Sequence, residues 1–314
     1  MPGLEIHPFG EDHLDGAAAL LAERHRRHRE HEPLLGDGYD FSAEIESLRG
    51  EPGASGVVGT RGGRVVGYLV GHAKDESRWG ANVWVEAAGH AVAEAEDVRD
   101  LYAAAAARWF EEGRTRQYVL APASDADLIE GWARLSFGHQ HSHGIRDVPD
   151  VAWPDGVRLA NEDDLDALVE LSPIITDHQS LAPVFGVGLP RETPEEIRAD
   201  ILEDLPKPEI GDLVAEQNGR IVGAFQLAPV ELSSAHTSLA RPEGSILLGW
   251  AATRPDARGS GAGVALMNAS FAWAREQRYD TMVTDWRETN LLSSRFWPKR
   301  GFRRSFVRLY RSIP

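Results

Sequence analysis

The sequence has 314 residues, of which 42% are hydrophobic and 26% charged, with no cysteine and a formal net charge of −16. This composition is typical of a folded globular protein, and the length suggests about two domains. The absence of cysteine excludes disulfides, thiolate metal ligands and a cysteine nucleophile. The 49 acidic residues outnumber the 33 basic ones, so we expect no nucleic-acid partner, because phosphate binding needs a basic face.

The sequence also lacks membrane and export signals. No apolar run approaches the roughly 20 residues that a transmembrane helix needs. The first residues, MPGLEIHPFG, have neither a basic segment nor an apolar segment of the secretory type. We therefore expect a cytoplasmic protein without a membrane partner, and the acidic balance suits a cationic substrate.

Two stretches of the first half recur in the second half in the same order. EDHLDGAAALL, residues 11–21, resembles EDDLDALVELS, residues 162–172, and each opens an amphipathic helix behind acidic capping residues. GGRVVGYLVG, residues 62–71, resembles NGRIVGAFQL, residues 218–227, and each is a turn that leads into an apolar strand. These matches predict an internal duplication.

The two copies share a predicted order of elements. Trp109 and Trp273 both lie in a helix that leads to an apolar strand. Each copy reads as strand, helix, helix, two strands joined by a turn, strand, helix, strand, helix and strand. The join lies in residues 147–156, where two prolines and a glycine interrupt regular pairing. We therefore expect two domains, residues 1–150 and 151–314.

A glycine-rich loop in the second copy joins a strand to a helix. Residues 245–253, SILLGWAAT, predict the strand, and apolar residues recur at helical spacing from Val264. Free N–H groups and the positive end of the helix dipole gather at such a helix start. Glycines that let a ligand approach the backbone, with Arg258 as a further donor, predict a diphosphate site.

Other phosphate loops do not fit these residues. A P-loop needs Gly-Lys-Ser/Thr, and a dinucleotide fingerprint needs Gly-x-Gly-x-x-Gly at the helix start; neither is present. Instead, Arg258, Gly261 and Gly263 stand in a pattern that resembles the Arg/Gln-x-x-Gly-x-Gly/Ala motif of the GNAT superfamily of N-acetyltransferases, whose members bind acetyl-CoA. A second GNAT segment, Asn-x-x-Ala-x-x-x-Tyr-x-x-x-Gly-Phe, resembles residues 290–302.

The resemblance implies a fold and a cofactor site. It implies an α/β protein of two tandem GNAT-like domains, each with a twisted mixed, mainly antiparallel sheet flanked by helices. Acetyl-CoA would bind to the second domain, with its diphosphate on the loop, its pantetheine along the preceding strand, and its thioester in a wedge where the next strand splays away. The residues that the resemblance assigns to acetyl-CoA are Ala251, Ala252, Thr253, Arg258, Gly259, Ser260, Gly261, Ala262, Gly263, Asn290 and Ser293.

The first copy lacks this loop. An offset of 164 residues aligns Arg258 with Glu94 and Gly261 with Asp97, so acidic side chains replace glycine. Carboxylates at that place would repel a diphosphate at short range. We expect the first copy to bind no CoA in this manner and to serve as a structural partner or a wall of the substrate cleft.

The family pattern fails at its usual proton donor. GNAT enzymes commonly use a tyrosine to protonate the departing thiolate, but the corresponding residue here is Trp297, which cannot serve as a practical acid. Trp132 holds the matching place in the first copy, which favours a packing role for both tryptophans. Water, Ser293, Ser294 or Tyr310 would then protonate the thiolate.

The general base has several candidates. Asp285 is the first choice because it lies near the predicted splay, and Glu288 lies on the same stretch. A pairing of Asp285 with Arg287 would give it a structural role instead. Asp177 and His178 lie in the stretch that commonly forms the acceptor site in GNAT enzymes.

These observations lead to an enzyme hypothesis and one alternative. We expect an acetyl-CoA-dependent N-acetyltransferase that acts on a small primary amine by direct acyl transfer. The alternative is a catalytically silent acyl-CoA binder with a regulatory role, because the usual tyrosine is missing. We expect no metal site: His139, His141 and His143 read as an exposed strand face. The sequence leaves open whether the protein is a monomer or a homodimer.

Overall fold

A computed structural model describes residues 3–74, 79–186 and 192–314, and these contain thirteen strands and nine α-helices. The strands are β1 Glu5–Pro8, β2 Ser55–Arg61, β3 Arg64–Gly71, β4 Asn82–Val85, β5 His90–Val92, β6 Arg116–Pro122, β7 Gly138–Asp147, β8 Val157–Leu159, β9 Gly211–Gln217, β10 Arg220–Pro229, β11 Ile246–Thr253, β12 Thr281–Arg287 and β13 Arg303–Ser312. The helices are α1 Leu14–His31, α2 Phe41–Gly50, α3 Asp97–Glu111, α4 Ala126–Ala133, α5 Leu165–Leu171, α6 Pro173–Ser180, α7 Pro194–Asp204, α8 Ala262–Glu276 and α9 Ser293–Lys299.

The chain forms two compact units. The first unit comprises residues 1–143 with 238–240 and 304–314, and the second comprises residues 144–237 and 241–303. The last strand, β13, thus belongs to the first unit, where it pairs with β6 over seven residues. The final residues of β7, from Gly144 onward, fall in the second unit.

The first unit has a mixed, mainly antiparallel strand arrangement. Strands β1, β2, β3 and β5 pair in this order, each antiparallel to its neighbour. Strand β4 runs parallel to β6, and β6 runs antiparallel to β13. A 3-10 turn at Ala87–Gly89 separates β4 from β5, and the bare Cα of Gly89 lets the backbone pass close to the Val70 carbonyl. One predicted strand of the first copy is therefore split in two.

The second unit repeats this plan with an unbroken strand. Strands β8, β9, β10 and β11 are antiparallel neighbours, and β11 runs parallel to β12. The pairing of β11 with β10 shifts between Gln226 and Leu227, which places a β-bulge beside Gly249. The pairing of β11 with β12 covers Ile246 to Leu248, whereas β11 continues to Thr253. The two parallel strands therefore separate beyond Leu248.

The packing of α8 explains why its sequence folds as a helix over the sheet. Leu266, Met267, Phe271 and Trp273 are buried against the strands of the second unit. Val264, which the sequence pattern also assigns to the buried face, is exposed. At about 25 cal/mol per Å² of apolar surface, the buried face stabilises this helix more than its intrinsic propensity does.

The fold agrees with the α/β prediction of two similar units with mixed, mainly antiparallel strands flanked by helices. A capping box formed by Thr193 and Glu196 opens α7. None of the helices in the described ranges is long and apolar enough to cross a bilayer.

Candidate functional site

A cavity of about 450 Å³ opens in the second unit where β11 and β12 separate. It lies between the end of β11, the loop before α8, helix α6 and helix α9. Eight of the predicted cofactor residues line it: Ala251, Ala252, Thr253, Arg258, Gly259, Gly261, Gly263 and Asn290. Ser293, predicted both as a cofactor residue and as a proton donor, lines it as well.

The end of β11 supplies one wall of the cavity. Ala251, Ala252 and Thr253 pair with β10 on one side, but the register with β12 has already ended. Their backbone groups on the β12 side are therefore available to an extended ligand, as a strand edge is. Small side chains at 251 and 252 leave this edge open.

The loop before α8 supplies a second wall. Gly259 and Gly261 have φ values of 85° and 93°, a left-handed conformation that glycine adopts without strain. A Cβ at either position would meet no atom within 4 Å, so their backbone faces open space. Gly261 is the N-cap of α8, a helix of 15 residues, and provides no side-chain cap. Exposed N–H groups and a helix dipole are the features by which helix starts bind anions in proteins.

Two arginines add positive charge around this loop. Arg258 is exposed and makes no ion pair within the described part of the chain, whereas Arg254 nearby pairs with Glu170 at 2.6 Å. Arg300 also lines the cavity, with its guanidinium 5.4 Å from the centre of the Phe296 ring. Sequence reasoning missed Arg300, although it directly precedes the Gly301–Phe302 end of the second GNAT segment.

Two other predicted cofactor residues do not line the cavity. Ser260 is exposed, and its hydroxyl oxygen accepts the Ala262 N–H at 3.4 Å. Ala262 itself is buried in the core beneath α8. Both residues shape the turn at the start of α8.

His178 and Asn290 meet at the cavity wall. The Asn290 Oδ1 accepts the N–H of Leu292 at 3.1 Å and that of Ser293 at 3.4 Å, at the start of α9. The His178 Nε2 lies 3.2 Å from the same oxygen. Because this oxygen accepts, the contact favours the tautomer with the proton on Nε2, which leaves Nδ1 as a proton acceptor.

Asp285 and Tyr310, two of the three predicted catalytic residues, are not among the residues that line the cavity. Asp285 lies on β12, where its charge raises the pKa of His236 and partly opposes the larger lowering that burial causes. Tyr310 lies on β13 in the first unit and packs against Tyr118, with the rings tilted by 33° and their centres 4.9 Å apart. The reason is the pairing of β13 with β6, which the sequence pattern does not reveal.

Trp297 is buried, with 6% of its surface exposed, and touches the cavity. Its ring packs on Phe296 at 4.9 Å and on Phe302 at 5.7 Å between ring centres. Its counterpart in the first unit, Trp132, is fully buried. The structure thus supports a packing role for both tryptophans.

A smaller cavity of about 240 Å³ in the second unit is lined by Trp250 from β11 and by several acidic residues. Asp212 is half-buried there, and burial raises its pKa to about 6, with the charge of Asp204 adding to the shift and a hydrogen bond from Gln226 opposing it. Trp250 therefore faces a cavity, whereas Trp286 on β12 lies in the core.

The loop of the first unit differs from the prediction. Gly67 pairs with Val92 as Gly223 pairs with Thr253, which aligns the two strand ends. Four residues, 93–96, then lead into α3, whereas eight residues, 254–261, lead into α8. The first copy therefore lacks half of the loop, and an alignment at a constant offset of 164 does not describe it.

The acidic residues at this short loop, expected to repel a diphosphate, form ion pairs with arginines instead. Asp97 is buried and paired with Arg61, at 2.8 Å between Oδ2 and Nη1. Glu96 pairs with Arg134 at 2.8 Å. Shortening of the loop, more than repulsion by free carboxylates, removes the diphosphate site.

Comparisons with known proteins show what this chain is similar to. Residues 178–302 match the family model described as Acetyltransferase (GNAT) family. A search of curated proteins found no match. Among solved structures, a GCN5-related N-acetyltransferase from Sphaerobacter thermophilus is 13% identical with a TM-score of 0.59, and the match covers 98% of this chain and 95% of that one.

Two further structures are similar to the whole chain. One is a GCN5-related glucosamine N-acetyltransferase region of a fungal multi-domain GH3 beta-N-acetylglucosaminidase, at 14% identity and a TM-score of 0.56, covering 99% of this chain and 38% of that one. The other is a tandem GNAT protein from the clavulanic acid biosynthesis pathway, at 17% identity and a TM-score of 0.49, covering 99% of each chain.

The family match and the structural similarity agree with the fold of the second unit, in which the glycine loop leads into α8. The family match covers residues 178–302, and similarity to the GCN5-related N-acetyltransferase structure shows that the GNAT fold extends over the whole chain. Proteins of this family use acetyl-CoA as the acyl donor.

Proposed function

We propose that this protein is an N-acetyltransferase that binds acetyl-CoA in the 450 Å³ cavity of the second unit and transfers the acetyl group to a small primary amine. The observation that carries the proposal is the meeting of three features in one cavity. These are a glycine loop with free N–H groups, a strand edge left open beyond Leu248, and the His178–Asn290 pair.

Each wall of the cavity has a part in binding. The N–H groups around Gly259, Gly261 and Gly263, with Arg258 and Arg300, hold the diphosphate. The edge of Ala251–Thr253 receives the pantetheine amides as an added strand would. The thioester then lies toward Asn290 and Ser293 at the start of α9.

His178 is the proposed base of the reaction in place of Asp285. Transfer requires the attacking amine to lose a proton, its nitrogen to bond to the thioester carbon, and the carbon–sulfur bond to break. Nδ1 of His178 accepts the amine proton, because Asn290 holds Nε2 as the donor. The Ser293 hydroxyl or water protonates the departing thiolate. Tyr310 is left out because it does not line the cavity.

The silent acyl-CoA binder stays as the second candidate because of Trp297. This residue occupies the place of the usual tyrosine and is held in the core by Phe225, Phe296 and Phe302. The cavity would then bind acetyl-CoA without turnover.

The first experiment measures release of the CoA thiol from acetyl-CoA by a colorimetric reagent, with a panel of diamines, amino sugars and amino-acid amides. We expect release with at least one amine. His178→Gln keeps an N–H donor for Asn290 but cannot accept the amine proton, so kcat is expected to fall by a factor of about 10² to 10⁴. The affinity for acetyl-CoA should change little.

The matched control is His7→Gln, which alters an exposed histidine on β1 and should leave kcat unchanged. Binding of acetyl-CoA without thiol release from any amine would favour the silent binder. Full activity of His178→Gln would remove His178 as the base.

A further inference from the structure

The first unit has a cavity of its own, with a volume of about 430 Å³. It is bounded by the C-terminal half of α1, the residues after β5, and the start of α4. Two arginines of α1, Arg24 and Arg27, line it. The place corresponds to the acetyl-CoA cavity of the second copy, but its walls differ in charge.

Arg24 is a buried cation that forms no direct ion pair with a carboxylate in the described ranges. Only 4% of its surface is exposed, and its two terminal nitrogens donate to the carbonyls of His90 and Ala87. Its Nε is buried without a hydrogen-bond partner, and it forms no ion pair in the described ranges. Burial lowers its pKa to about 10, so the side chain is still charged at pH 7. A buried charge without a counter-ion is costly, and an anion in the cavity would offset that cost.

The charge is specific to the first copy. The alignment of Glu11 with Glu162 places Arg24 opposite Ile175 and Arg27 opposite His178. Both residues of the second copy line the acetyl-CoA cavity, one an apolar isoleucine and the other the proposed base. The first copy thus has two arginines on the α1 wall of its cavity and lacks the long loop of the second copy.

Arg27 pairs with Glu23 at 3.3 Å, but both side chains are about half exposed, so water weakens this pair. The charge of Asp125 favours the charged form of Arg24 without forming an ion pair with it. Asp125 caps α4, where its carboxylate accepts the Leu128 N–H at 3.0 Å, and Asp127 is exposed to water. His28 is buried; burial and the charge of Arg24 lower its pKa to about 3, so it is neutral. Its Nε2 lies 2.8 Å from the Ser305 carbonyl and donates to it. Ser124 adds an exposed hydroxyl to the wall.

We propose that the cavity of the first unit binds a small metabolite through an oxyanion group, a carboxylate or a phosphate, held by Arg27 and by the charge of Arg24. This site is separate from the acetyl-CoA cavity, and it does not depend on the proposed enzyme activity. The apolar residues Val92, Ala93 and Leu128 contact the rest of the ligand.

The test titrates the full chain with inorganic phosphate and, separately, with citrate, by calorimetry and by thermal unfolding against chloride of equal ionic strength. All proteins carry Arg258→Ala, which weakens anion binding at the α8 loop. We expect one of the two anions to bind and to raise the unfolding temperature. Phosphate binding would indicate a phosphate ester as ligand, and citrate binding a carboxylate.

Arg27→Ala should weaken this binding at least about tenfold, because it removes a charged hydrogen-bond donor. Arg26→Ala is the matched control, since Arg26 is the next residue of α1, is similarly exposed and pairs with the same Glu23, but does not line the cavity. Absence of binding by both anions, or equal weakening by the two substitutions, would overturn the proposal. Arg24→Met adds a second variant; loss of binding in a folded Arg24→Met protein supports the assignment, and retained affinity contradicts it.

Discussion

At the scale of single residues, the tautomer proposed for His178 depends on its contact with the Asn290 side chain, which backbone N–H groups at the start of α9 orient. The Asn290 oxygen accepts, and it therefore favours the proton on Nε2 of His178. Asn290 was predicted as a cofactor residue, and the structure adds this orienting contact. No sequence pattern reports such a contact between residues 112 positions apart.

Asp212 leads to a prediction about stability. Because burial raises its pKa from 3.8 to about 6, the folded state keeps a proton that the unfolded state loses between pH 4 and 6. The free energy of unfolding therefore falls through this range as the pH rises, by at most about 3 kcal/mol since the side chain is only half-buried. Asp212→Asn should stabilise the protein by about 1 to 3 kcal/mol at pH 7.5 and by little at pH 4.

Urea unfolding of wild type and variant at the two pH values measures this difference. Asp155→Asn, in an exposed turn, is the control and should show no dependence on pH. An equal effect of Asp212→Asn at both pH values would show that the carboxyl titrates normally.

At the scale of elements, the loop before α8 combines conformation with access. Gly261 needs its left-handed φ of 93° and an open approach to its backbone, whereas Gly263 lies inside the helix, where a Cβ would touch the Phe296 ring at an ordinary 3.6 Å. The two glycines therefore have different requirements, although they are two residues apart.

Gly261→Ala is expected to lower the free energy of unfolding by about 1 to 2 kcal/mol, because alanine is strained at a left-handed φ. The variant should also bind acetyl-CoA more weakly, because relief of this strain reorients the N–H groups of the loop. Gly263→Ala is the matched control: it should be neutral or stabilising by up to about 1 kcal/mol and should keep its affinity. Urea unfolding without ligand and calorimetry with acetyl-CoA separate the two effects. Unchanged affinity in a folded Gly261→Ala protein would contradict the role given to this loop.

The strand, loop and helix at this site could be predicted from the sequence because each depends on residues close together in the chain. The glycine spacing and the apolar period indicate a strand, loop and helix, and β11 and α8 lie there. The partner of β13 could not be predicted, since its alternating apolar residues suit either of two similar units. For this reason the sequence does not reveal that Tyr310 lies beside β6, and the catalytic roles of Tyr310 and Asp285, neither of which lines the cavity, stay predictions.

At the scale of the whole molecule, two copies of one plan have diverged at their cavities. The volumes are similar, about 430 and 450 Å³, but the first has a short loop and buried positive charge, and the second has the long glycine loop. The duplication was visible in the sequence, whereas the four-residue shortening became visible only through strand register. We therefore propose that acetyl-CoA binds to the second copy alone.

Calorimetric titration of acetyl-CoA into the full-length protein, with Arg258→Ala beside it, tests this central claim. We predict one site per chain and a loss of affinity of at least about tenfold in Arg258→Ala, because the variant lacks a charged donor to the diphosphate. Arg275→Ala, a neutralisation at the other end of α8, should bind as wild type does. Two equivalent sites per chain, or full affinity in Arg258→Ala, would contradict the account.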